Sequence, residues 1–347
     1  MPQFDTLPFW LNLSIFAGAA VCVWVAGTSL ARRADVIASR TGLSHAFLGV
    51  VLLGIATSLP EIATTTTAAA IGNTRLVSNN LFGGVALQVA ILAVADMVAV
   101  RGALTYFTPQ PVLLFQGVML LLLLAVALAG AAALEPLSFM GIGATPVLLL
   151  VGYLVTVWLS QPGEYLPRWR ATHTPTVADE SEGRNDGPDT PSAARLYLSA
   201  GAAALVILAA GWALAQTGDA LADQTGLGAS FVGVALVAAS TSLPELSTTL
   251  GATRQGNHQM AVSNILGTNC LEVALFFLAD SVYRGGPILA EADRSALFAA
   301  TVGMVVTCIF LIGLLERRDR TVLGMGVDSL AVLLVYGCGL AGLYALR

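Results

Sequence analysis

Two five-residue stretches carry the chemistry of this chain: Thr57-Ser58-Leu59-Pro60-Glu61 and Thr241-Ser242-Leu243-Pro244-Glu245. Each lies inside an apolar segment long enough to cross a bilayer. Pro60 has no N–H, and its ring crowds the carbonyl four residues back at Ala56, so a helix must break there. Glu61 is costly to ionise in lipid, and an acidic side chain at that depth marks a functional site. Hydroxyls, freed carbonyls and a carboxylate at one depth form an oxygen set suited to a hard cation.

A second polar stripe follows each stretch. Asn80, Gly84 and Gln88 recur every fourth residue, and Asn264, Thr268 and Glu272 answer them in the later segment. Residues four apart share one helix face. Gln88 and Glu272 read as ligands. Asn80 and Asn264 read rather as hydrogen-bonding glue between helices. Gly83-Gly84 and Gly267 weaken these helices, so bent or interrupted geometry is expected there. Thr64, Thr65 and Thr248 continue the faces of Thr57 and Thr241. Hydroxyls in membrane helices also simply bond a carbonyl one turn back, which is the competing role for each of these threonines. Asp96 and Asp280 sit at helix ends close to Arg101 and Arg284 and read as interfacial or paired charges; Asp328 opens the last apolar segment. His45, His173 and His258 form no cluster. Ser58 and Ser242 stand beside acids, but no histidine or lysine base lies near them, which argues against an intramembrane hydrolase and against an enzyme generally.

The elements that must hold these residues are membrane helices. Of 347 residues, 56% are apolar and 11% charged, with a mean hydropathy of +0.79. A soluble domain carries roughly 25% charged residues, so the class is all-α integral membrane protein. Ten apolar segments run approximately 11–31, 44–70, 76–100, 111–134, 141–160, 195–217, 228–253, 260–283, 295–315 and 326–346. The first has no basic n-region or small-residue cleavage site before it, so it reads as a span rather than a signal peptide. Between the fifth and sixth lies a polar stretch, Gln161 to Ser192, rich in Pro, Gly, Asp and Glu. It reads as a flexible cytoplasmic linker over 161–194, with acids lacking the spacing of a calcium loop. Cys22, Cys270, Cys308 and Cys338 are scattered in apolar runs and read as packing residues, not a disulfide frame or zinc site. The net charge of −5 argues against a nucleic-acid partner.

Shifting the chain by 184 residues lays Asp35–Asp96 on Asp219–Asp280 without a gap. Pro, Glu and Asn stay in register, as do Thr41-Gly42-Leu43 with Thr225-Gly226-Leu227, Gly49-Val50 with Gly233-Val234, and Gly72-Asn73 with Gly256-Asn257. The chain therefore reads as two five-helix repeats, 1–160 (motif 54–96) and 195–347 (motif 238–280). Five spans per repeat puts the second copy in the membrane upside down, which places the site at the midplane between copies. All sixteen basic residues are arginines. With the N-terminus outside, twelve of them fall in inside loops: Arg32, Arg33, Arg40, Arg101, Arg168, Arg170, Arg184, Arg195, Arg254, Arg317, Arg318 and Arg320. Both termini are thus expected outside a cell membrane.

Two Thr-Ser-Leu-Pro-Glu motifs in such repeats, each followed by Gly-Asn and a helix bearing Asn and Gly or Thr, resemble the calcium/cation antiporter superfamily, with the compact prokaryotic sodium/calcium exchangers looking most similar. The resemblance implies ten helices broken at the ion site. It also implies four central ligands at Glu61, Gln88, Glu245 and Glu272. Thr57, Ser58, Thr241 and Ser242 would lend further oxygens, and Thr268 would flank a sodium position. The implied activity is exchange of Ca2+ for Na+ by alternating access, without a cofactor or an obligate protein partner. The first and sixth spans would slide over the rest, and Gly18, Gly27, Gly201 and Gly211 fit such close contact. Three positions depart from the family pattern: Gln88 and Glu272 stand where Asn and Asp are usual, and Gly84 where a serine commonly stands. They leave Ca2+/H+ antiport as the alternative, ahead of a cation channel.

Overall fold

Lipid offers no hydrogen bonds to a backbone, so an apolar chain crossing it must satisfy every N–H and C=O internally. The computed structural model does so almost entirely with helices. It describes residues 4–41, 54–100, 102–139, 141–160 and 193–346. The linker from Gln161 to Ser192, with its acidic run and His173, lies outside these, as do Gly42, Leu43, His45, Gly49, Val50, Arg101 and Arg347.

The first half contains α1 (Phe9–Thr41), α2 (Gly54–Thr57), α3 (Leu59–Ala70), α4 (Thr74–Ala99), α5 (Pro111–Ala132), a small hairpin of β1 (Ser138–Phe139) and β2 (Ile142–Gly143), and α6 (Ala144–Leu159). The second half repeats that order with α7 (Ala193–Thr225), α8 (Gly228–Val232), a π-helical turn (Gly233–Val237), α9 (Ala238–Thr241), α10 (Leu243–Arg254), α11 (His258–Val282), α12 (Arg294–Glu316), the hairpin of β3 (Thr321–Val322) and β4 (Met325–Gly326), and α13 (Val327–Leu346). Among the described residues, seven helices are long and apolar enough to span a membrane, or up to eight with the bent pair Ser230–Thr241 and Leu243–Arg254. Ala144–Leu159 is a shorter apolar helix.

The core sits on α4 and α11, whose apolar windows are 78% and 83% buried. Phe82 and Phe276 meet there with ring centroids 4.9 Å apart. Both helices run unbroken through their glycines, contrary to the expectation of an interruption. The glycines serve close approach instead. A Cβ at Gly83 would lie 2.8 Å from the Val234 Cα, so a side chain there would push the π-helical turn away.

The halves interlock through two matching latches. Asp96 accepts the amides of Leu104 and, across the halves, Gly326, both at 2.9 Å. Asp280 accepts those of Ile288 at 2.8 Å and Gly143 at 2.9 Å. These aspartates therefore serve backbone amides rather than standing as surface charges. They satisfy backbone donors that would otherwise be buried without partners. The Gly-Asn pairs explain themselves similarly. Gly72 (φ 81°) and Gly256 (φ 76°) turn the chain in the left-handed region that a side chain disfavours. Asn73 and Asn257 then cap α4 and α11 through the amides of Leu76 and Met260.

Outside this core, α1 and α7 lie side by side and antiparallel: Asn12 meets Gln224 at one end and Arg33 meets Ser199 at the other. Gly27 of α1 fits against the ring of Pro244, and Gly211 of α7 fits against Ala63 and the Pro60 carbonyl. Gly18 and Gly201 face open space, so of the four glycines expected to make close contact only Gly27 and Gly211 do. Of the four free cysteines only Cys270 is buried; Cys22, Cys308 and Cys338 are exposed and do not pack as expected.

Candidate functional site

Ser58 and Ser242 stand at the two breaks with closely matched backbone angles, φ −79° ψ 3° and φ −82° ψ 9°. Past each break the proline occupies the first turn of a 12-residue helix, α3 or α10, where its missing N–H costs nothing. Glu61 and Glu245 lie in the same first turns. There the helix's unsatisfied amides favour negative charge. The sequence thus breaks two helices at one kind of place and sets a carboxylate on each new N-terminus.

The nine residues expected at the site are all buried: Thr57, Ser58, Glu61, Gln88, Thr241, Ser242, Glu245, Thr268 and Glu272, none more than 1% exposed. They converge across the halves. Glu61 faces the Thr241 and Ser242 hydroxyls of the opposite break, and Glu245 faces Thr57. Both carboxylate oxygens of Glu61 and of Glu245 remain without a hydrogen-bond partner of normal geometry, as do the Ser58, Ser242 and Thr268 hydroxyls. Gln88 Nε2 donates to Glu272 Oε2 at 3.3 Å, leaving Gln88 Oε1 unpartnered. Among the described residues, no three His, Cys, Asp or Glu side chains form a compact metal-binding group.

Other hydroxyls are already engaged. Thr57 Oγ1 donates to the Gly54 carbonyl at 3.3 Å and Thr241 Oγ1 to the Ala238 carbonyl at 3.2 Å. Thr64 and Thr248 donate to the Pro60 and Pro244 carbonyls, each at 3.0 Å. Those two threonines therefore act structurally, bonding one turn back.

Asn80 and Asn264 differ in their bonding. Asn264 fits the glue role through Nδ2 to Thr248 Oγ1 at 3.4 Å. Asn80, only 2% exposed, leaves both its amide nitrogen and oxygen unpartnered. Thr65 and Thr249 are likewise buried with free hydroxyls. The register of Asn80 with Asn264 was visible in the sequence. Their unequal bonding was not, because it depends on which side chain reaches Thr248.

Packed apolar helices around buried carboxylates and hydroxyls define a multi-pass membrane protein, and the family match that follows makes it a membrane transporter rather than an enzyme. The model of the sodium/calcium exchanger protein family matches residues 11–160 and 196–346. The chain belongs to the sodium/calcium exchanger family. It is 26% identical over 317 residues to a putative antiporter, CaxA, of Alkalimonas amylolytica, covering 89% of this chain and 92% of that one. A sodium/calcium exchanger of Methanosarcina acetivorans, MaX1, is 31% identical over 120 residues, 33% of each chain. Among solved structures, the sodium-calcium exchanger NCX_Mj soaked with Na+ and Ca2+ superposes with a TM-score of 0.63 at 16% identity, covering 95% of this chain and 98% of that one. At that identity the likeness speaks for the fold.

Proposed function

We propose that the protein exchanges Ca2+ for Na+ across a cell membrane by alternating access. One observation carries the reading: the Glu61 and Glu245 carboxylates are fully buried at the two helix breaks, each facing hydroxyls of the opposite half. Ionised carboxylates are costly to bury, so the cage calls for positive charge, from cations or protons, before it can cross. Ca2+ is held between Glu61 and Glu245, with Glu272, Gln88 and the oxygens of Thr57, Ser58, Thr241 and Ser242 around it, and Na+ beside Thr268. Since the unloaded cage crosses poorly, the inward and outward forms interconvert only when loaded, and exchange is obligatory.

In this reading the two halves are five-helix repeats of inverted topology, ten spans in all. The matching order of elements in α1–α6 and α7–α13 supports it. Both termini lie outside and the linker 161–194 inside. The moving part is the pair α1 and α7.

Ca2+/H+ antiport is the second reading, favoured by the third carboxylate, Glu272, which shares the buried site. Purified protein in vesicles with 45Ca separates the two. An imposed Na+ gradient is expected to drive Ca2+ uptake. Uptake driven by a pH gradient and indifferent to Na+ overturns the Na+ assignment.

A further inference from the structure

The two Gly-Asn turns fold alike but bond differently. Asn73 and Asn257 each cap a core helix through Oδ1, accepting the amides of Leu76 at 2.9 Å and Met260 at 3.2 Å. Their amide nitrogens then diverge. Asn73 Nδ2 donates to Asp219 Oδ1 on α7. Asn257 Nδ2 turns back on its own helix, to Met260 Sδ at 3.6 Å, and a thioether is a weak acceptor. Turn glycine and cap are the same in both, so the difference lies in where the long peripheral helix stands.

Asp219 is held there against repulsion, since Asp5 and Asp223 lie near enough to oppose its charge. The bond sits at the rim of an open cavity lined with Ile71, Gly72, Thr74 and Arg75, where water can replace either partner. Such a bond can break and reform in every cycle. Helix α7 does not stand alone: Asn12–Gln224 and Arg33–Ser199 tie it to α1 at both ends. The 184-residue offset that relates Asn73 to Asn257 also relates Asp219 to Asp35 in the sequence of α1. A second matched pair is split in the same manner: Asn264 donates to Thr248, whereas Asn80 leaves its amide unpartnered. The two halves are therefore in different conformations, and exchanging those conformations between them yields the opposite-facing form.

We propose that Asn73 and Asp219 form a state-specific clasp, which holds the α1–α7 pair against the core in this conformation and opens when the pair moves. In the opposite conformation the matched donor, Asn257, leaves Met260 for α1, where Asp35 takes the place of Asp219. The proposal rests on the reading of the chain as an alternating-access transporter. One hydrogen bond to a carboxylate, partly open to water, biases such an equilibrium by about tenfold.

The test uses full-length protein. N73D keeps the cap of α4, since aspartate caps as well as asparagine, but sets a carboxylate against Asp219. N73D/D219N restores one donor and one acceptor with their roles reversed, and N257D alters the matched turn. Nitroxide labels at T225C, on the exposed end of α7, and L137C, beside the first hairpin and exposed, read the conformation by their separation. The exposed Cys22, Cys308 and Cys338 are replaced by alanine for this purpose. In ion-free detergent N73D is expected to lower the population of the present conformation relative to the other by about tenfold. The reversed pair should return within about threefold of wild type, and N257D should shift the ratio the opposite way. An unchanged ratio in N73D, no recovery in the reversed pair, or a shift of N257D in the same direction as N73D overturns the clasp. A purely capping role would lower both melting temperatures and move neither ratio. Ratios that behave as expected in protein whose vesicles move no 45Ca under any gradient uphold the clasp and overturn the exchange reading instead.

Discussion

Gly27 of α1 packs against Pro244, the residue that breaks the helix preceding α10; a Cβ at Gly27 would lie 2.8 Å from the Pro244 Cβ and overlap its Cγ. Gly211 of α7 makes the matching contact, with a Cβ overlapping that of Ala63 and lying 3.2 Å from the Pro60 carbonyl. Each long peripheral helix therefore rests directly on the break that carries a cage glutamate. Any displacement of α1 or α7 is felt at Glu245 or Glu61 within one helical turn.

Gly27→Ala and Gly211→Ala are expected to cut exchange at least tenfold while costing about 1–3 kcal/mol of stability, the usual range for overpacking. Gly18→Ala and Gly201→Ala face open space and should stay within about twofold of wild type, as surface changes generally do. Uptake of 45Ca with parallel thermal melts makes the comparison. Equal effects at all four glycines would remove the distinction between contact and non-contact positions.

Glu61→Gln and Glu245→Gln should move function and stability in opposite directions. Each removes a buried ionisable carboxyl, so the ion-free protein should melt as high as the wild type or higher. Ca2+ uptake should vanish. The stabilisation by added Ca2+ should vanish too; in the wild type it amounts to about 2.7 kcal/mol at a hundredfold excess over Kd. Survival of transport in both variants would sink the site model.

The aspartate latches predict the reverse pattern. Asp280 serves the amides of Ile288 and Gly143, and Asp96 those of Leu104 and Gly326. Asp280→Ala and Asp96→Ala leave two buried N–H groups each without acceptors, at about 1–3 kcal/mol per group. Chemical or thermal denaturation should show the loss. In protein that stays folded, the preference for Ca2+ over other divalent ions should be unchanged, since neither side chain belongs to the cage.

Much of this architecture was legible before any coordinates. The repeat offset, the proline breaks and the buried glutamates all follow from polar residues placed where lipid penalises them, and that penalty leaves a strong trace in sequence. What stayed illegible depended on reach between helices. Asp96 and Asp280 looked like surface charges because the amides they bind come from Gly326 and Gly143, far along the chain and in the other half. The glycines of α4 looked like hinges because composition cannot tell a break from a close approach. Gly84 could be read as a missing hydroxyl, but not as the close approach where a Cβ would overlap Glu272 Oε1.

Asn80 and Asn264 offer the sharpest separation of packing from binding, because sequence makes them equivalent and bonding does not. Asn264 donates to Thr248, which in turn holds the Pro244 carbonyl. Its loss removes one buried hydrogen bond and loosens the break that presents Glu245. Asn264→Ala should therefore lower stability by about 1–2 kcal/mol. Asn80 has nothing to lose among the described residues: both its polar atoms are unpartnered, and a buried amide in that state already costs stability. Asn80→Ala should leave the ion-free melting temperature unchanged or higher, yet weaken ion-induced stabilisation by about tenfold in apparent affinity, the equivalent of about 1.4 kcal/mol for one lost oxygen ligand. Melting curves over a Ca2+ and a Na+ titration check both. If Asn80→Ala destabilises the ion-free protein as much as Asn264→Ala and leaves ion affinity intact, the two asparagines are alike after all, and Asn80 belongs to the packing.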